Sequence, residues 1–342
     1  MTTAPDVKTE TVSITNLPQD PPVVRAVRWL LRYAFLFGLV LVFVYFSAAA
    51  PQFLSPSNLI TVLENSAILL LVAMALTLVV SSGGIDLSVG VALDFGAWFS
   101  IVGMLVWGLP WPAAVALGVV AGACIGALNA LLIVGLGVTP FLATLGTFFI
   151  GRSIQLIGTN GGANISYREA PDGFRALAGS STLGIPNEIL IVAVIAVVAY
   201  IFLSRSAVGR KVQAMGLQDS AARIAGLPTR RLRVWVYIGS AAVCAFAGVL
   251  LVSGLRIYTP LAGFTYLLDG IAAVFIGAAM HVRNRPNIPG TVVGVVFLSI
   301  LSNGLDLLGI DFNTKAALRG IILLVVLTVA FAVAKRSYSR QA

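Results

Sequence analysis

Polar and charged side chains stand inside or at the edges of long apolar runs at Asp86, Ser88, Asp94, Asn129, Thr144, Arg152, Asp269 and Asn303. In hydrocarbon such groups are costly, so they pair, cap a helix, meet water or touch a passing solute. Hydroxyls, amides and isolated acids without rings of like charge suit a wet path for a neutral, hydroxylated solute. Taken singly, each is equally a source of hydrogen bonds between helices. Asp86, Asp94 and Asp269 have a further reading, as proton or sodium sites of an ion-coupled transporter. Glu64, Asn65, Thr139, Thr147 and Asp306 are polar intrusions of the same kind.

Asp86 and Ser88 belong to the string Ser81-Ser82-Gly83-Gly84-Ile85-Asp86-Leu87-Ser88-Val89-Gly90. Paired glycines let the chain turn tightly, and Asp or Ser at such a point caps the next helix. Both a capped turn and a solute contact fit this string.

No catalytic residue and no metal site can be assembled. There is one histidine, His281, beside Arg283 and Arg285, and no Ser/His/Asp grouping forms around it. No Gly-x-x-x-x-Gly-Lys-Ser/Thr loop is present to cradle phosphate. Cys124 and Cys244 lie in apolar runs and read as buried small hydrophobes.

The elements that must carry these residues are membrane helices. Charged residues make up 10% of the 342, where soluble domains carry about a quarter. The charge-free run from Phe95 to Gly151 covers 57 residues, enough for two or three spans of about 20 each. Backbone groups in lipid must be satisfied within the segment, and no alternation of a barrel strand is seen. The chain therefore reads as an all-α polytopic membrane protein of about ten transmembrane helices, near 29–48, 58–81, 87–107, 111–135, 139–157, 188–203, 235–254, 266–280, 289–305 and 316–334.

Charge sets the orientation. Segment 204–234 holds Arg205, Arg210, Lys211, Arg223, Arg230, Arg231 and Arg233, with Asp219 as its only acid. Positive loops stay in the cytoplasm. Placing both termini there puts 16 of the 22 Lys and Arg residues on that side. The net charge of +9 thus reflects membrane topology rather than nucleic-acid binding. Residues 1–28 are a polar cytoplasmic tail without a signal-peptide core, and 335–342 a second tail. The connection 158–187 is read as a polar, partly structured external cap held by Phe174, Leu177 and Leu183. Gly118, Gly122 and Gly126 form a small-residue strip, for packing within the subunit or for dimerisation.

Within the basic segment, Gln218 to Leu227 reads as a short helix. Leu217, Ala221 and Ile224 share a face, Asp219 and Arg223 pair at i,i+4, and Gly226 with Pro228 ends it.

Several motifs then fall in order: Ser82-Gly83-Gly84-Ile85-Asp86-Leu87-Ser88-Val89-Gly90, Gly126-Ala127-Leu128-Asn129, Thr139-Pro140-Phe141-Leu142-Ala143-Thr144-Leu145-Gly146-Thr147, Gly209-Arg210-Lys211 with Ala214-Met215-Gly216 and Ala221-Ala222-Arg223, Asp269-Gly270-Ile271-Ala272-Ala273-Val274, and Ser302-Asn303-Gly304-Leu305. Over residues 50–334 the sequence resembles the membrane permease subunits of bacterial ATP-binding-cassette (ABC) importers for monosaccharides, the ribose/galactose/xylose type.

The resemblance implies a multi-pass inner-membrane permease domain at 29–334 that translocates a monosaccharide or related polyol. Nucleosides, a furanone signal and branched-chain amino acids are the alternative solutes. It implies a second permease subunit (homo- or heterodimer), a periplasmic or lipid-anchored solute-binding protein, and a cytoplasmic ABC ATPase. ATP and Mg would sit on that ATPase, so this chain binds no cofactor of its own. The coupling helix would present Gln218, Asp219, Ala221, Ala222, Arg223 and Gly226. Two departures from the family pattern stand out. Tyr266-Leu267-Leu268 precedes Asp269 where an acid is usual, and Met280–Asn287 replaces a glycine-rich turn.

Overall fold

A computed structural model describes residues 22–281 and 285–311, and in part 313–328. The helices are α1 (Pro22–Ala49), α2 (Pro56–Ser81), α3 (Val89–Leu105), α4 (Trp111–Ala130), α5 (Pro140–Gly158), α6 (Asp172–Arg175), α7 (Asn187–Tyr200), α8 (Ala207–Leu217), α9 (Asp219–Ile224), α10 (Thr229–Leu255), α11 (Gly263–Ala279) and α12 (Ile288–Leu307). π-Helical turns extend α4 through Leu131–Gly135 and α7 through Ile201–Arg205. The chain is thus mostly helical, as its composition requires.

Among the described residues, six helices are long and apolar enough to cross a membrane: α2, α4 and α7 with their extensions where present, α5, α10 and α12. The apolar part of α1, Leu36–Ala49, is shorter, as are α3 and α11. Span 316–334 of the sequence reading lies largely outside the described residues, as does part of the Met280–Asn287 turn. Helix α1 begins at Pro22, inside the segment read as tail.

Local chemistry explains the helix starts. Ser55 precedes Pro56 and accepts from Asn58 N, and Ser206 accepts from Gly209 N to open α8. Asn287 accepts from Gly290 N at 2.8 Å to open α12. Each satisfies a backbone donor that the first turn leaves open, and proline in the first turn has no donor to satisfy.

Polarity is distributed inside out relative to a soluble protein. Val44, Val120, Ile157, Val194 and Trp235 are exposed, whereas Asp86, Ser88, Ser100, Asn129 and Gln155 are wholly buried. In lipid, apolar surface gains nothing by association, so helices hold together through close packing and polar contacts. The glycine strip shows this. A Cβ at Gly122 would stand 2.3 Å from the Ala245 Cβ, and one at Gly126 2.4 Å from Tyr237 O. Gly118 meets Gly96 O in the same way. The strip therefore packs α4 onto α3 and α10 within this chain, which leaves it no room to dimerise. Cys244 is buried, but Cys124 is exposed, because it points to the side of α4 opposite that strip.

Two ends can be told apart. At one end Gly216 of α8 lies against the last turn of α2, where an added Cβ would be 2.1 Å from Ser81 O. This is the basic end. At the other, residues 159–186 fold into a cap. Its strand β1 (Ile165–Ser166) pairs antiparallel with β4 (Ile257–Tyr258), while β2 (Ser181–Thr182) and β3 (Ile185–Pro186) form a small hairpin. Phe174 is buried in the cap, and Ser253 of α10 holds it by donating to Phe174 O (2.7 Å) and accepting from Ala178 N (3.1 Å). Leu177 is partly buried, but Leu183 is 97% exposed. Leu183 therefore holds nothing in place, contrary to the sequence reading, because it occupies the turn of the β2–β3 hairpin.

Candidate functional site

The sequence-predicted residues gather in separate places. After α2 the chain turns at Gly83 (φ 83) and runs on without helical bonds until α3 begins. Asp86 lies in this stretch, wholly buried, and its Oδ1 accepts from Ser88 N (2.8 Å) and Ser88 Oγ (2.7 Å). Asn129 of α4 donates to Ser88 Oγ at 2.6 Å. The Thr144 hydroxyl of α5 lies 2.9 Å from Pro140 O of its own helix and 3.3 Å from Ile85 O. These four residues thus form one node that ties α4 and α5 to the entry of α3. Tyr237 of α10, absent from the sequence reading, closes over Gly84, where a Cβ would be 2.4 Å from its hydroxyl. Four buried oxygens here, Ser81 Oγ, Asp86 Oδ2, Asn129 Oδ1 and Tyr237 OH, have no hydrogen-bond partner among the described residues.

Asp94 sits elsewhere. It is nearly fully buried and accepts from Gly263 N at 2.8 Å, capping the first turn of α11. The backbones of Gly90 and Gly263 touch, since a Cβ on Gly263 would be 2.1 Å from Gly90 O. Two short helices therefore meet at their N-termini, where both dipoles are positive and a carboxylate is favoured. Gln155 of α5 braces the same junction, its Oε1 accepting from Tyr258 OH (3.1 Å) and Leu261 N (3.0 Å). Spacing could have found Gln155, because Thr144, Thr147, Gly151 and Gln155 recur on the buried face of α5. Arg152 is exposed, on the flank of that face.

Asn303 makes a reciprocal amide pair with Asn58, at 2.9 and 2.8 Å. At the other end of the same two helices the hydroxyls of Thr77 and Thr291 meet at 2.7 Å. Helices α2 and α12 are therefore antiparallel, and Asn303 lies away from the basic end.

On that half a cavity of about 600 Å³ opens between α2, α11, α12 and the residues following α12. Asn65, Thr265, Tyr266, Asp269, Ser299 and Ser302 line it among apolar walls of Leu69, Phe264 and Leu298. The Asp306–Lys315 ion pair stands on its rim. Of the polar residues picked out in the sequence, Asn65, Asp269 and Asp306 line this cavity, whereas Asp86, Ser88, Asp94, Asn129, Thr144, Arg152 and Asn303 do not. The lining offers hydroxyls, amides and a carboxylate with aromatic and aliphatic surface, and so suits binding rather than bond breaking.

At the basic end, helix α9 is shorter than read, from Asp219 to Ile224. Gln218 is extended (φ −158, ψ 96), so Leu217 belongs to α8 and the proposed Leu217–Ala221–Ile224 stripe does not run along one helix. The Asp219–Arg223 pair forms at 3.1 Å, and Arg233 of α10 reaches the same carboxylate at 3.1 Å. Gly226 takes φ 77, with Gly226 N bonded to Arg223 O and Leu227 N to Ala222 O. This is a Schellman stop, which a glycine in the left-handed region makes at no steric cost. Ala222 packs inward, whereas Ala221, Arg223 and Ile224 (90% exposed) face out.

Comparison with known proteins bears on what such a molecule does. The family described as the branched-chain amino acid transport system / permease component matches residues 58–327. The ribose import permease protein RbsC of Bacillus subtilis (strain 168) is 35% identical over 292 residues, covering 84% of this chain and 89% of the relative. A probable ABC transporter permease protein, y4mJ, of Sinorhizobium fredii is 33% identical, with 85% and 86% covered. The autoinducer 2 import system permease protein LsrD of Photorhabdus laumondii is 28% identical, with 86% and 90% covered.

Proposed function

The chain belongs to the branched-chain amino acid transport system / permease component family, and on that premise we propose that it is the membrane subunit of an ABC importer for a monosaccharide. The observation that carries the solute class is the cavity of about 600 Å³ lined by hydroxyl, amide and carboxylate groups. That volume lies within the range of about 300–1,000 Å³ usual for small-molecule sites. Similarity to a ribose import permease, 35% identical over most of both chains, supports the same reading.

In this reading ten spans cross the bacterial inner membrane, both termini and the 204–234 segment lie in the cytoplasm, and the 159–186 cap faces the solute-binding protein. Two permease subunits share one pair of ATPases, which carry ATP and Mg. The exposed outer side of α9 seats in the ATPase, and Asp219, held by Arg223 and Arg233, transmits its movement to α10. Asp86, Ser88, Asn129 and Thr144 form a buried node that makes α3, α4 and α5 move together. Asp94 does the same for α3 and α11. Asp269 is the proposed solute contact.

Uptake of radiolabelled ribose, with a panel of pentoses, hexoses and autoinducer 2 as competitors, tests the proposal in cells lacking the native gene. Expected is saturable uptake abolished by an inactive partner ATPase and unaffected by an ionophore. Uptake that follows the ion gradient and ignores the ATPase overturns the importer reading. Competition by autoinducer 2 alone favours the second solute class, which similarity to the LsrD protein supports.

A further inference from the structure

Two adjoining concavities lie where α4 and α10 meet the basic end. The first is an apolar groove of about 460 Å³ between them. Ala127 and Gly135 are small enough to leave its floor low, and Leu131, Val134, Val234 and Ile238 form its walls. The second, about 380 Å³, lies beyond the π-helical turn and is lined by Arg223, Arg230 and Arg233 with Asp219. Val134 and Arg230 line both, so the two are continuous. Asp219 is already bonded to Arg223 and Arg233, each at 3.1 Å. Three guanidinium groups against one carboxylate leave two positive charges. Among the described residues, Arg230 has a long contact of 3.5 Å to Val134 O. An exposed apolar groove that ends in surplus cationic charge at a helix end is complementary to one kind of molecule, which has an acyl chain and an anionic head.

We propose that this face binds one anionic glycerophospholipid of the leaflet at the basic end, with its phosphate against Arg230 and Arg233 and a chain along the α4–α10 groove. Basic pockets between helices at a membrane surface capture such headgroups by charge and by the donor geometry of arginine. The bound lipid would brace the π-helical turn against α9 and α10, next to the surface proposed to meet the ATPase. The inference needs only that these helices cross a membrane, so it stands or falls apart from the choice of solute.

Native mass spectrometry of the full chain in mild detergent, with phosphatidylglycerol or phosphatidylcholine of identical chains, tests it. The wild-type protein is expected to retain one phosphatidylglycerol, at least about fivefold in preference to phosphatidylcholine, the worth of one basic side chain near a charged surface. Arg230→Gln should remove most of that preference, and Ala127→Trp, at an exposed position on the groove floor, should weaken both lipids. Arg231→Gln, next in sequence but outside both concavities, should change neither. Equal retention of the two lipids by the wild type overturns the proposal, and so does an undiminished preference in Arg230→Gln. A change from dimer to monomer in Ala127→Trp with lipid binding intact would assign the groove to a second copy of the chain instead.

Discussion

The amide pair Asn58–Asn303 and the hydroxyl of Tyr237 represent opposite situations for a buried polar group. Each asparagine amide donates to the other's carbonyl, and Asn58 Nδ2 also reaches Phe53 O at 2.9 Å. Removing one partner strands the other, at a cost of about 1–3 kcal/mol, whereas replacing both by apolar groups is nearly neutral. Asn303→Leu should therefore lower the thermal midpoint of the detergent-solubilised protein, and Asn58→Leu with Asn303→Leu should recover only part of the loss, because Phe53 O also loses its donor. A double variant no better than the single would show that the pair is not the unit of stabilisation. Tyr237 OH makes no hydrogen bond among the described residues, so Tyr237→Phe should leave the midpoint unchanged or raise it. A clear fall would mean that the hydroxyl is engaged after all. These residues also show how far sequence goes at this scale. Asn303 stands out as an amide in an apolar run, but its partner lies 245 positions away, and no local pattern names it. Tyr237 is not legible in this way, because an aromatic within a helical face reads as packing until its neighbours are known, whereas the spacing of the buried face of α5 points to Gln155.

At the scale of elements, helices follow from composition, since long apolar runs in lipid satisfy their backbone within the segment, but composition does not show that α3 and α11 are shorter than the other spans. The breaks between elements are less legible. Alanines and Gly226 announce α9 and its stop, but nothing in Met215-Gly216-Leu217-Gln218 says that the chain becomes extended at Gln218. The break falls two residues past the close approach of Gly216 to Ser81 O, a tertiary contact that the local sequence does not show. It leaves Ile224 and Arg223 outward on a short helix tied back through Asp219. The Arg223 side chain is 62% exposed, so its pair contributes little to stability. Arg223→Glu and Ile224→Asp should therefore insert and melt as wild type does, yet sever ATP hydrolysis from solute uptake in reconstituted vesicles. Wild-type coupling in both would rule out α9 as the docking element. Gly226→Ala is the graded test of the stop. A side chain at φ 77 costs roughly 1 kcal/mol, so partial loss of coupling is expected together with a small fall in the midpoint. Gly122→Leu acts on different physics. Its side chain would meet Ala245 Cβ and Ala92 O, with no flexible neighbour to yield, so the variant should fail to accumulate in the membrane.

For the whole molecule, the remaining question is which way it faces. The cap and the basic segment lie at opposite ends of the bundle, with Trp107 and Trp235 exposed towards those two ends, as interfacial aromatics are. Seven positive charges in 204–234 resist translocation, and the 159–186 cap carries Arg168 and Arg175 against Glu169 and Asp172, a balanced surface that crosses without penalty. Orientation is thus proposed from the charge of the chain as a whole, since helix packing is the same whichever way the molecule faces. Leu183 is 97% and Ile224 90% exposed, which makes them clean reporters of the two ends. In a Cys124→Ser background, with Cys244 buried, a membrane-impermeant maleimide should label Leu183→Cys in spheroplasts. Ile224→Cys should react only in inverted vesicles, because α7 separates the two positions. Thr2→Cys and Gln341→Cys should behave like Ile224→Cys if ten spans are crossed. Labelling of Gln341→Cys together with Leu183→Cys would make the number of crossings odd, and a reversed pattern at Leu183 and Ile224 would turn the molecule over, taking α9 out of reach of any cytoplasmic ATPase.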